Sequence, residues 1–187
     1  MLTKTLDMFE ALGSFSDEEQ QWFIQHLQWL EVNAGAMILS EGEICDAVYF
    51  LQEGYCYQYK QSDEEEKVIE LHLPGEWIFV QQSLVKQEPS LVAIRAFQSA
   101  KVARLGLKQI HTLMRLAPAF LQLGRLFSQG QERTKMFDDM MDPMEKYEFL
   151  LQTKPATATV FPIKMIASYL KLAPETLSRV RAKYRIS

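Results

Sequence analysis

The segment with the clearest capacity for chemistry is LKLAPETLSRVRAKYR, residues 170–185. Glu175 and Arg179 are four residues apart, which is about one turn of a helix, so their side chains would share one face. An arginine fork can donate to O6 and N7 of guanine, and a glutamate can accept from the N4 amine of cytosine. The pair therefore predicts a helix that reads neighbouring base pairs in the major groove of DNA.

Other side chains around this pair are suited to contacts with phosphates. Lysine and arginine neutralise phosphates, and hydroxyl groups donate hydrogen bonds to them. A solvated basic helix without a nucleic-acid partner is the plainer interpretation of the same residues. The predicted DNA-contacting set is Pro174, Glu175, Thr176, Ser178, Arg179, Lys183, Ser168 and Lys164, with Arg181 and Arg185 as further basic residues.

Apolar residues predict the frame that would hold this face. They fit a first helix over residues 163–170, a turn at 171–173, and a second helix that begins at Pro174, where the missing amide hydrogen costs nothing. Lys171 stands where such turns usually have glycine, and a left-handed backbone there costs about 1 kcal/mol. The apolar positions, grouped around the small Ala167, are Ile166, Leu170, Leu172, Leu177 and Val180.

Positive charge is concentrated at this end of the chain. The 187 residues have a formal net charge of -4, but residues 163–187 carry +5, which leaves -9 for residues 1–162. A local basic patch can attract nucleic acid whatever the net charge of the protein. A sensing module that acted only through protein partners would have no use for such a patch, yet it stays open as an alternative.

Residues 33–107 have the pattern of a β structure. Short apolar runs recur about every ten residues, and Gly35, Gly42, Gly54 and Gly75 fall between them, where a positive φ lets a turn close. The runs are AMIL, AVYFL, YCYQYK, KVIELHL, EWIFV, LVAIRAF and AKVARLGL. They predict the strands of a sandwich or a barrel.

Helical periodicity flanks these strands. Ser16 and Glu19 have the form of a capping box for a first helix over residues 17–30. A long helix is predicted over residues 119–140, with a stripe in steps of three and four that is typical of pairing with a second helix. This predicted dimer interface consists of Phe120, Leu123, Phe127, Gly130, Thr134 and Phe137 and continues to Met141. The stripe could instead pack on the chain's own strands.

A further helix is predicted to begin at Asp142. Asp142 is suited to the N-cap and Pro143 to the first turn, where proline is well tolerated. The segment PATATVFP then predicts a connector to the helices of the C-terminal end. The residues that would share one face of this helix are Met144, Tyr147, Leu150 and Leu151.

In their order along the chain, these segments resemble the Crp/Fnr family of bacterial transcription regulators. The resemblance rests on AGAMILSEGEICDAVYFLQEG with its glycine spacing, on LPGEWI, on the long helix and on ASYLKLAPETLSRVR. Glu175, Thr176 and Arg179 match the family's ETxxR motif, whose Glu and Arg contact base edges. The sequence IASYL before PETLSR resembles variants common in the Bacteroidetes.

The resemblance implies an α+β protein in three parts. Residues 1–118 would form a cyclic-nucleotide-binding-like β-roll, which is a double-stranded β-helix or jelly roll with flanking helices. Residues 119–141 would be a dimerisation helix, and residues 142–187 an all-α helix-turn-helix domain of winged-helix type. Because the sequence ends at Ser187, the wing is expected to be absent or truncated. The implied partners are double-stranded DNA with an inverted-repeat operator, a second copy of the chain and RNA polymerase.

The segment that would bind an effector departs from the family's pattern. Members that bind cyclic AMP have Gly-Glu-Leu followed by Arg-Ser or Arg-Thr, and these positions align here with Phe79-Val80 and Ser90-Leu91. A buried phosphate without a paired cation is costly, so we expect no usual binding of cyclic AMP or cyclic GMP. The diverged pocket, for an unidentified effector or for none, is predicted at Trp77, Phe79, Val80, Ser90 and Leu91. Arg95 is a candidate substitute cation, but strand alternation predicts that it faces solvent or an interface.

A metalloenzyme of cupin type is the alternative from another class. Its site needs two or three histidines and a carboxylate around one metal, whereas His26, His72 and His111 are scattered. Cys45 and Cys56 have the spacing of neither a metal site nor a disulfide framework. We therefore expect no catalytic residue, metal or cofactor. No run of about 18 apolar residues predicts a membrane span, and we expect a cytoplasmic protein.

Overall fold

The structure is a computed structural model that describes residues 8–9, 12–62, 65–126 and 142–184. Within these residues the chain forms strands up to residue 106 and helices after it, with further helical segments before and among the strands. In chain order the elements are α1 Asp17–Gln25, β1 Gln28–Val32, β2 Met37–Leu39, β3 Ala47–Glu53, β4 Cys56–Ser62, β5 Glu65–His72, β6 Trp77–Ile78, α2 Gln81–Lys86, β7 Ala93–Ala96, β8 Ala100–Gly106, α3 Leu107–Leu116, a 3₁₀ helix Pro118–Gly124, α4 Pro143–Thr153, α5 Thr157–Val160, α6 Ile163–Tyr169 and α7 Pro174–Tyr184.

The strands make two antiparallel four-stranded sheets that face each other. The first sheet has the order β1-β8-β3-β6 and the second the order β2-β7-β4-β5. Residues of both sheets enter one hydrophobic core, to which β3 contributes Val48 and Phe50, β8 Val102, and β7 Ile94. The predicted jelly roll is confirmed as an antiparallel sandwich, and the chain as a whole is α+β. The interior of this sandwich is called the first core below.

The end of the first helix was predicted wrongly. The Ser16–Glu19 capping box is present, but α1 ends at Gln25 and residues 28–32 form strand β1 against β8. In β1, Leu30 and Val32 are half-buried while Glu31 between them is exposed. This alternation has a period of two, so pairing with β8 prevails over the helical spacing of Leu27 and Leu30.

Phe120 and Leu123 are buried within the chain's own fold. They lie in the 3₁₀ helix, with 0% and 1% of their surfaces exposed, inside the first core. Phe120 stacks on Phe15 at 5.5 Å between ring centroids and on Phe23 at 6.5 Å. These two positions therefore correct the predicted dimer stripe, because their side chains are used by the chain's own fold. Phe127, Gly130, Thr134 and Phe137 lie outside the described residues, as does most of the predicted long helix.

A second core joins the outer face of the second sheet to the C-terminal helices. In β4 the side chains alternate, so that Cys56 belongs to the first core while Tyr57 and Tyr59 belong to the second. Helix α6 packs along β5, and α7 packs on α6 and α4. The buried members of the second core are Tyr57, Tyr59, Val68, Leu71, Ala93, Tyr147, Leu150, Phe161, Ile166, Ala167, Tyr169, Leu170 and Leu177.

The C-terminal helices begin and end where the sequence predicts. Asp142 caps α4 by accepting from the amides of residues 144 and 145, and Glu145 completes the capping box. At the end of α6, Lys171 has φ +56°, its amide donates to Ser168 O, and the amide of Leu172 donates to Ala167 O. This is a Schellman motif made with lysine instead of glycine. The connector PATATVFP contains a short helix, α5, which the sequence did not predict.

Candidate nucleic-acid interface, effector cassette and ion group

Helix α7 buries one side and exposes the other. Leu177 is fully buried in the second core, and Val180 packs partly against it. On the opposite side Glu175, Ser178 and Arg179 are exposed. Because one apolar residue per turn is held by α4 and α6, the polar residues of the same helix must point away from the protein. Five predicted contact residues, Glu175, Thr176, Ser178, Arg179 and Lys183, thus share one helix, all of them exposed except Thr176, which is half-buried.

The orientation of α7 is fixed at both ends. Pro174 opens the helix after the turn at Lys171 and is half-buried. Near the other end, Tyr184 meets Tyr147 of α4 edge to face, at 5.7 Å between ring centroids. Arg179 lies one turn after Glu175, and its Nε donates to the Glu175 carbonyl at 3.4 Å. The result is a rigid helix that presents an acidic and a basic side chain side by side.

The two predicted contact residues on α6 have different surroundings. Lys164 is exposed, as a phosphate contact would require. Ser168 is half-buried, and its Oγ accepts a hydrogen bond from the Val68 amide at 2.9 Å. Val68 lies in β5, an edge strand of the second sheet, whose outward amides have no neighbouring strand. Ser168 therefore caps the edge of the sheet through its oxygen, and because its O–H is not used in this bond, its role as a phosphate donor stays a prediction.

The predicted effector segment, called the cassette here, covers residues 77–91 and contains β6 and α2. Ser83 connects it to the segment between β2 and β3, since its Oγ accepts from the Cys45 amide at 2.9 Å and donates to Glu88 O at 2.6 Å. Gln87 ends α2 with φ +55°, and its side-chain amide donates to Leu84 O at 2.8 Å. The loop is thus ordered by its own hydrogen bonds.

The five predicted pocket residues do not form one lining. Trp77 is half-buried in the first core, 5.3 Å from the Phe50 ring, and its Nε1 donates to Met8 O at 3.3 Å. Ser90 is 1% exposed, and its hydroxyl donates to Val92 O at 2.6 Å. Leu91 is 60% exposed and points outward, which corrects its assignment to the pocket. Phe79 and Val80 remain half-buried beside the first core.

Gln58, which lies near the cassette, is not among the residues predicted from the sequence. It is 9% exposed in β4, and its Nε2 donates to Phe79 O at 3.2 Å. The alternation in YCYQYK was the available signal, because it directs Gln58 and Cys56 to the opposite side from the three tyrosines. A side-chain amide thus lies inside the sandwich beside the segment that would meet an effector.

Arg95 lies on the outer face of the second sheet, as strand alternation predicts. It is paired in register with Tyr57. Its guanidinium donates to Glu66 Oε1 at 2.5 Å, to the Tyr57 hydroxyl at 3.2 Å and to the Tyr59 hydroxyl. With these partners on the second-core side, Arg95 does not replace the missing arginine of the cassette.

A buried ion group, which no sequence feature predicts, lies where the end of α4 meets the second sheet. Lys154, with only 3% of its side chain exposed, donates through Nζ to Glu70 Oε1 at 2.8 Å, to Leu71 O at 2.7 Å and to Glu76 Oε2 at 3.0 Å. His72 Nδ1 lies 3.0 Å from the same Glu76 oxygen. The three bonds satisfy all three donors of the ammonium group. Lys154, Glu70, Glu76 and His72 are called the Lys154 ion group below.

The charge of Glu76 is strongly stabilised within this group. Burial alone would raise the pKa of the Glu76 carboxyl, but the hydrogen bond from His72 and the charge of Lys154 outweigh it and lower the pKa from 4.5 to about 2. A carboxyl whose pKa is lowered by folding stabilises the folded state at any pH above its pKa in the unfolded chain. This contribution is lost as the pH falls through the pKa of the folded state.

Replacing Glu76 with glutamine should therefore have a pH-dependent effect. The wild type should exceed Glu76→Gln in unfolding free energy near neutral pH, and the difference should shrink as the pH falls from 4.5 towards about 2. His72, Lys154 and Glu70 are present in both proteins, so the comparison isolates the Glu76 carboxylate. Urea unfolding at pH 7, 5, 4 and 3 measures it, and a difference that did not change below pH 5 would contradict the assigned pKa.

The histidines have separate surroundings in this structure. His72 belongs to the Lys154 ion group, His26 Nδ1 lies 2.7 Å from Trp22 O, and His111 is exposed on α3. Among the residues that the structure describes, no three histidine, cysteine or acidic side chains come together as a metal site would need. In the same part of the chain, every helix is too short or too polar to cross a bilayer.

Comparison with protein families gives one match. The profile of the cyclic nucleotide-binding domain matches residues 29–116. This range begins in β1 and ends with α3, so it covers both sheets and the cassette. A search of curated proteins found no match.

Solved structures with the same fold cover between 73% and 95% of this chain in the three cases that follow. The catabolite activator protein of Thermus thermophilus is 17% identical, with a TM-score of 0.60 over 95% of this chain and 85% of that one. FixK2 of Bradyrhizobium japonicum is 17% identical, with a TM-score of 0.67 over 86% and 85%. The sensor domain of the transcriptional regulator DNR of Pseudomonas aeruginosa is 17% identical, with a TM-score of 0.54 over 73% and 91%. At such identities the similarity establishes a common fold. Residues 29–116 thus match the profile of the cyclic nucleotide-binding domain and fold as a jelly roll, and they are followed by helices that pack on the outer face of the second sheet.

Proposed function

We propose that this protein is a sequence-specific DNA-binding transcription regulator of Crp/Fnr type that acts as a homodimer. The observation that carries the proposal is the exposed face of α7, where Glu175 and Arg179 lie one turn apart while Leu177 anchors the helix in the second core. Proteins of the same fold include a catabolite activator protein and the sensor domain of a transcriptional regulator, which supports a regulatory and not a catalytic role.

In this proposal α6 and α7 act as a helix-turn-helix, with α7 in the major groove. Arg179 donates a bidentate pair of hydrogen bonds to guanine, and Glu175 accepts from cytosine on a neighbouring base pair. Lys164, Lys183 and the hydroxyl groups of Thr176 and Ser178 contact phosphates and fix the register. RNA polymerase is the further partner that such a regulator would meet on DNA.

The homodimer part of the proposal rests on the residues after the 3₁₀ helix. Phe120 and Leu123 are excluded from it by their burial, so the pairing surface is assigned to Phe127, Gly130, Thr134 and Phe137. Two paired copies would place their α7 helices about 34 Å apart, and the operator is then an inverted repeat with half-sites one helical turn apart.

The effector of this regulator is not a cyclic nucleotide bound in the usual way. Ser90 stands where cyclic-AMP-binding members have arginine, and its hydroxyl is already engaged with Val92 O. Between Trp77 and Val92 the sequence has one basic residue, Lys86, and it is exposed at the end of α2. A buried phosphate would therefore lack a paired cation. The half-buried Phe79 and the Gln58 amide favour an uncharged, largely apolar effector.

The first experiment is selection of duplexes from a random pool by the full chain. Fluorescence anisotropy on the enriched duplex then measures affinity with and without cyclic AMP. An enriched inverted repeat whose binding ignores cyclic AMP is the expected result. Weak, salt-sensitive binding to all duplexes alike would overturn sequence-specific regulation, and a large gain in affinity on adding cyclic AMP would overturn the assignment of the cassette.

Arg179→Ala should lose both affinity and sequence discrimination. Removing the guanine contact should cost about 1 to 3 kcal/mol on the selected duplex and relax the preference at one base pair. Lys183→Ala is the matched control on the same helix, because loss of a phosphate contact weakens all duplexes alike and lowers the salt dependence. Anisotropy titrations of both variants against the selected and a scrambled duplex make the comparison. Equal losses on the two duplexes for Arg179→Ala would rule out base reading by this side chain.

A further inference from the structure

The Lys154 ion group is unusual in its depth and its position. A lysine ammonium with 3% of its side chain exposed would be strongly destabilising if it had no partners. Here all its partners come from the β-roll: Glu70 and the Leu71 carbonyl from β5, and Glu76 from the turn before β6. The single lysine from the helical side is thus matched to a preformed acidic recess on the sheet.

The acidic recess is held by the β-roll itself. The Glu76 carbonyl accepts from the Leu51 amide at 2.9 Å, and the Gly75 amide donates to Leu51 O at 2.8 Å, which ties this turn to the central strand β3. His72 Nδ1 also contacts the Glu76 carboxylate. The recess therefore does not depend on the helices for its shape, although its two carboxylates repel each other without a cation between them.

On the other side, Lys154 lies at the junction of two helices. It follows the last residue of α4, its amide donates to Leu150 O, and its carbonyl accepts from the Thr157 amide of α5. Helix α4 in turn supports α7 through Tyr147 and Tyr184. A cation fixed in the recess therefore fixes the base of the helical unit that carries the exposed face of α7.

We propose that the Lys154 ion group is the lock that holds the C-terminal helices on the second sheet, and that this docking raises the affinity of α7 for DNA by orienting it before DNA binds. The DNA part rests on the function proposed above. In the docked arrangement the exposed residues of α7 remain uncovered, so docking leaves the reading face available. Ordering a binding element in advance removes part of the entropy cost of association.

The lock should behave as an all-or-none contact. If Lys154 leaves the recess, Glu70 and Glu76 must become hydrated. If instead a substitution removes one charged member of the group, the remaining members are left as buried, unpaired charges. Docking has a local reporter, because the Val68 amide of the edge strand donates to Ser168 Oγ of α6. When α6 leaves the sheet, this amide loses its partner and exchanges with solvent.

The test compares Lys154→Met with Lys60→Met in the full chain. Lys60 is an exposed lysine on the neighbouring strand β4, so the control removes the same charge without touching the recess. Hydrogen exchange at the Val68 amide, followed by NMR, should be at least about tenfold faster in Lys154→Met and unchanged in Lys60→Met. The affinity of Lys154→Met for the duplex enriched by selection should fall about tenfold, with Lys60→Met at the wild-type value.

Any other result would contradict one part of the proposal. Unchanged Val68 exchange in Lys154→Met would overturn the lock, and faster exchange with unchanged or tighter DNA binding would overturn the orienting role. If Lys154→Met does not fold, Glu70→Gln keeps the shape of the recess and should show the same changes at smaller size. If no variant and not even the wild type enriches a duplex, the proposed function fails, while the exchange measurement still decides whether the lock exists.

Discussion

Phe120→Ala should lower the free energy of unfolding by about 3 to 5 kcal/mol. The Phe120 ring is fully buried and stacked between Phe15 and Phe23, so its removal leaves a cavity in the first core. Leu121→Ala is the matched control, since Leu121 is the next residue of the same 3₁₀ helix and is 66% exposed. That control should change stability by no more than about 0.5 kcal/mol. Urea unfolding followed by circular dichroism measures both.

The same variant separates the core from the proposed dimer surface. Phe120→Ala should sediment with the mass of the wild type, because its side chain is occupied inside its own chain. Phe127→Glu should instead sediment as a monomer, since a charge within a paired apolar stripe opposes association. Dissociation caused by a well-folded Phe120→Ala protein with wild-type stability would refute the assignment of Phe120 to the core.

Gly54→Ala should be destabilising by about 3 to 5 kcal/mol, through two effects at one position. Gly54 has φ +87°, which an alanine adopts only with strain. In addition, an added Cβ would lie 2.3 Å from Ser99 O and 2.6 Å from Ala100 Cα, and both are backbone atoms that cannot move alone. The turn between β3 and β4 therefore depends on a glycine, because the backbone at the start of β8 approaches it closely.

Gly42→Ala separates these two effects. Gly42 also has φ +87°, but no heavy atom lies within 4 Å of a Cβ built on it. Its replacement should cost only the conformational strain, about 1 to 2 kcal/mol. Thermal and urea unfolding of both variants gives the difference directly. Equal losses at the two positions would mean that the contact with Ser99 does not constrain the turn.

Features set by neighbouring residues could be read from the sequence. The Asp142 cap, the start of α7 at Pro174 and the left-handed Lys171 depend on a few adjacent residues, and all three are present. The sequence does not predict strand β1, because the strand depends on pairing with the distant β8, as in Gln28 opposite Arg104. Local periodicity carries no information about such pairing.

The candidate site also combines features that the sequence predicts with features that it does not. The exposed face of α7 follows from the spacing of Leu177 and Val180, so it could be predicted. The roles of Ser168 and Lys154 could not, because their partners are 100 positions away at Val68 and 84 positions away at Glu70. A serine and a lysine near a basic segment have no sequence feature that distinguishes an internal bond from a bond to phosphate.

The second core also determines how this protein can be divided. A fragment that ended before Asp142 would keep both sheets but would expose Tyr57, Tyr59, Val68 and Leu71 to water. Such a contiguous apolar and aromatic surface on a four-stranded sheet invites self-association. The start of α4 is therefore a poor place to cut the gene for expression, because the sheets and the C-terminal helices bury the same apolar surface against each other.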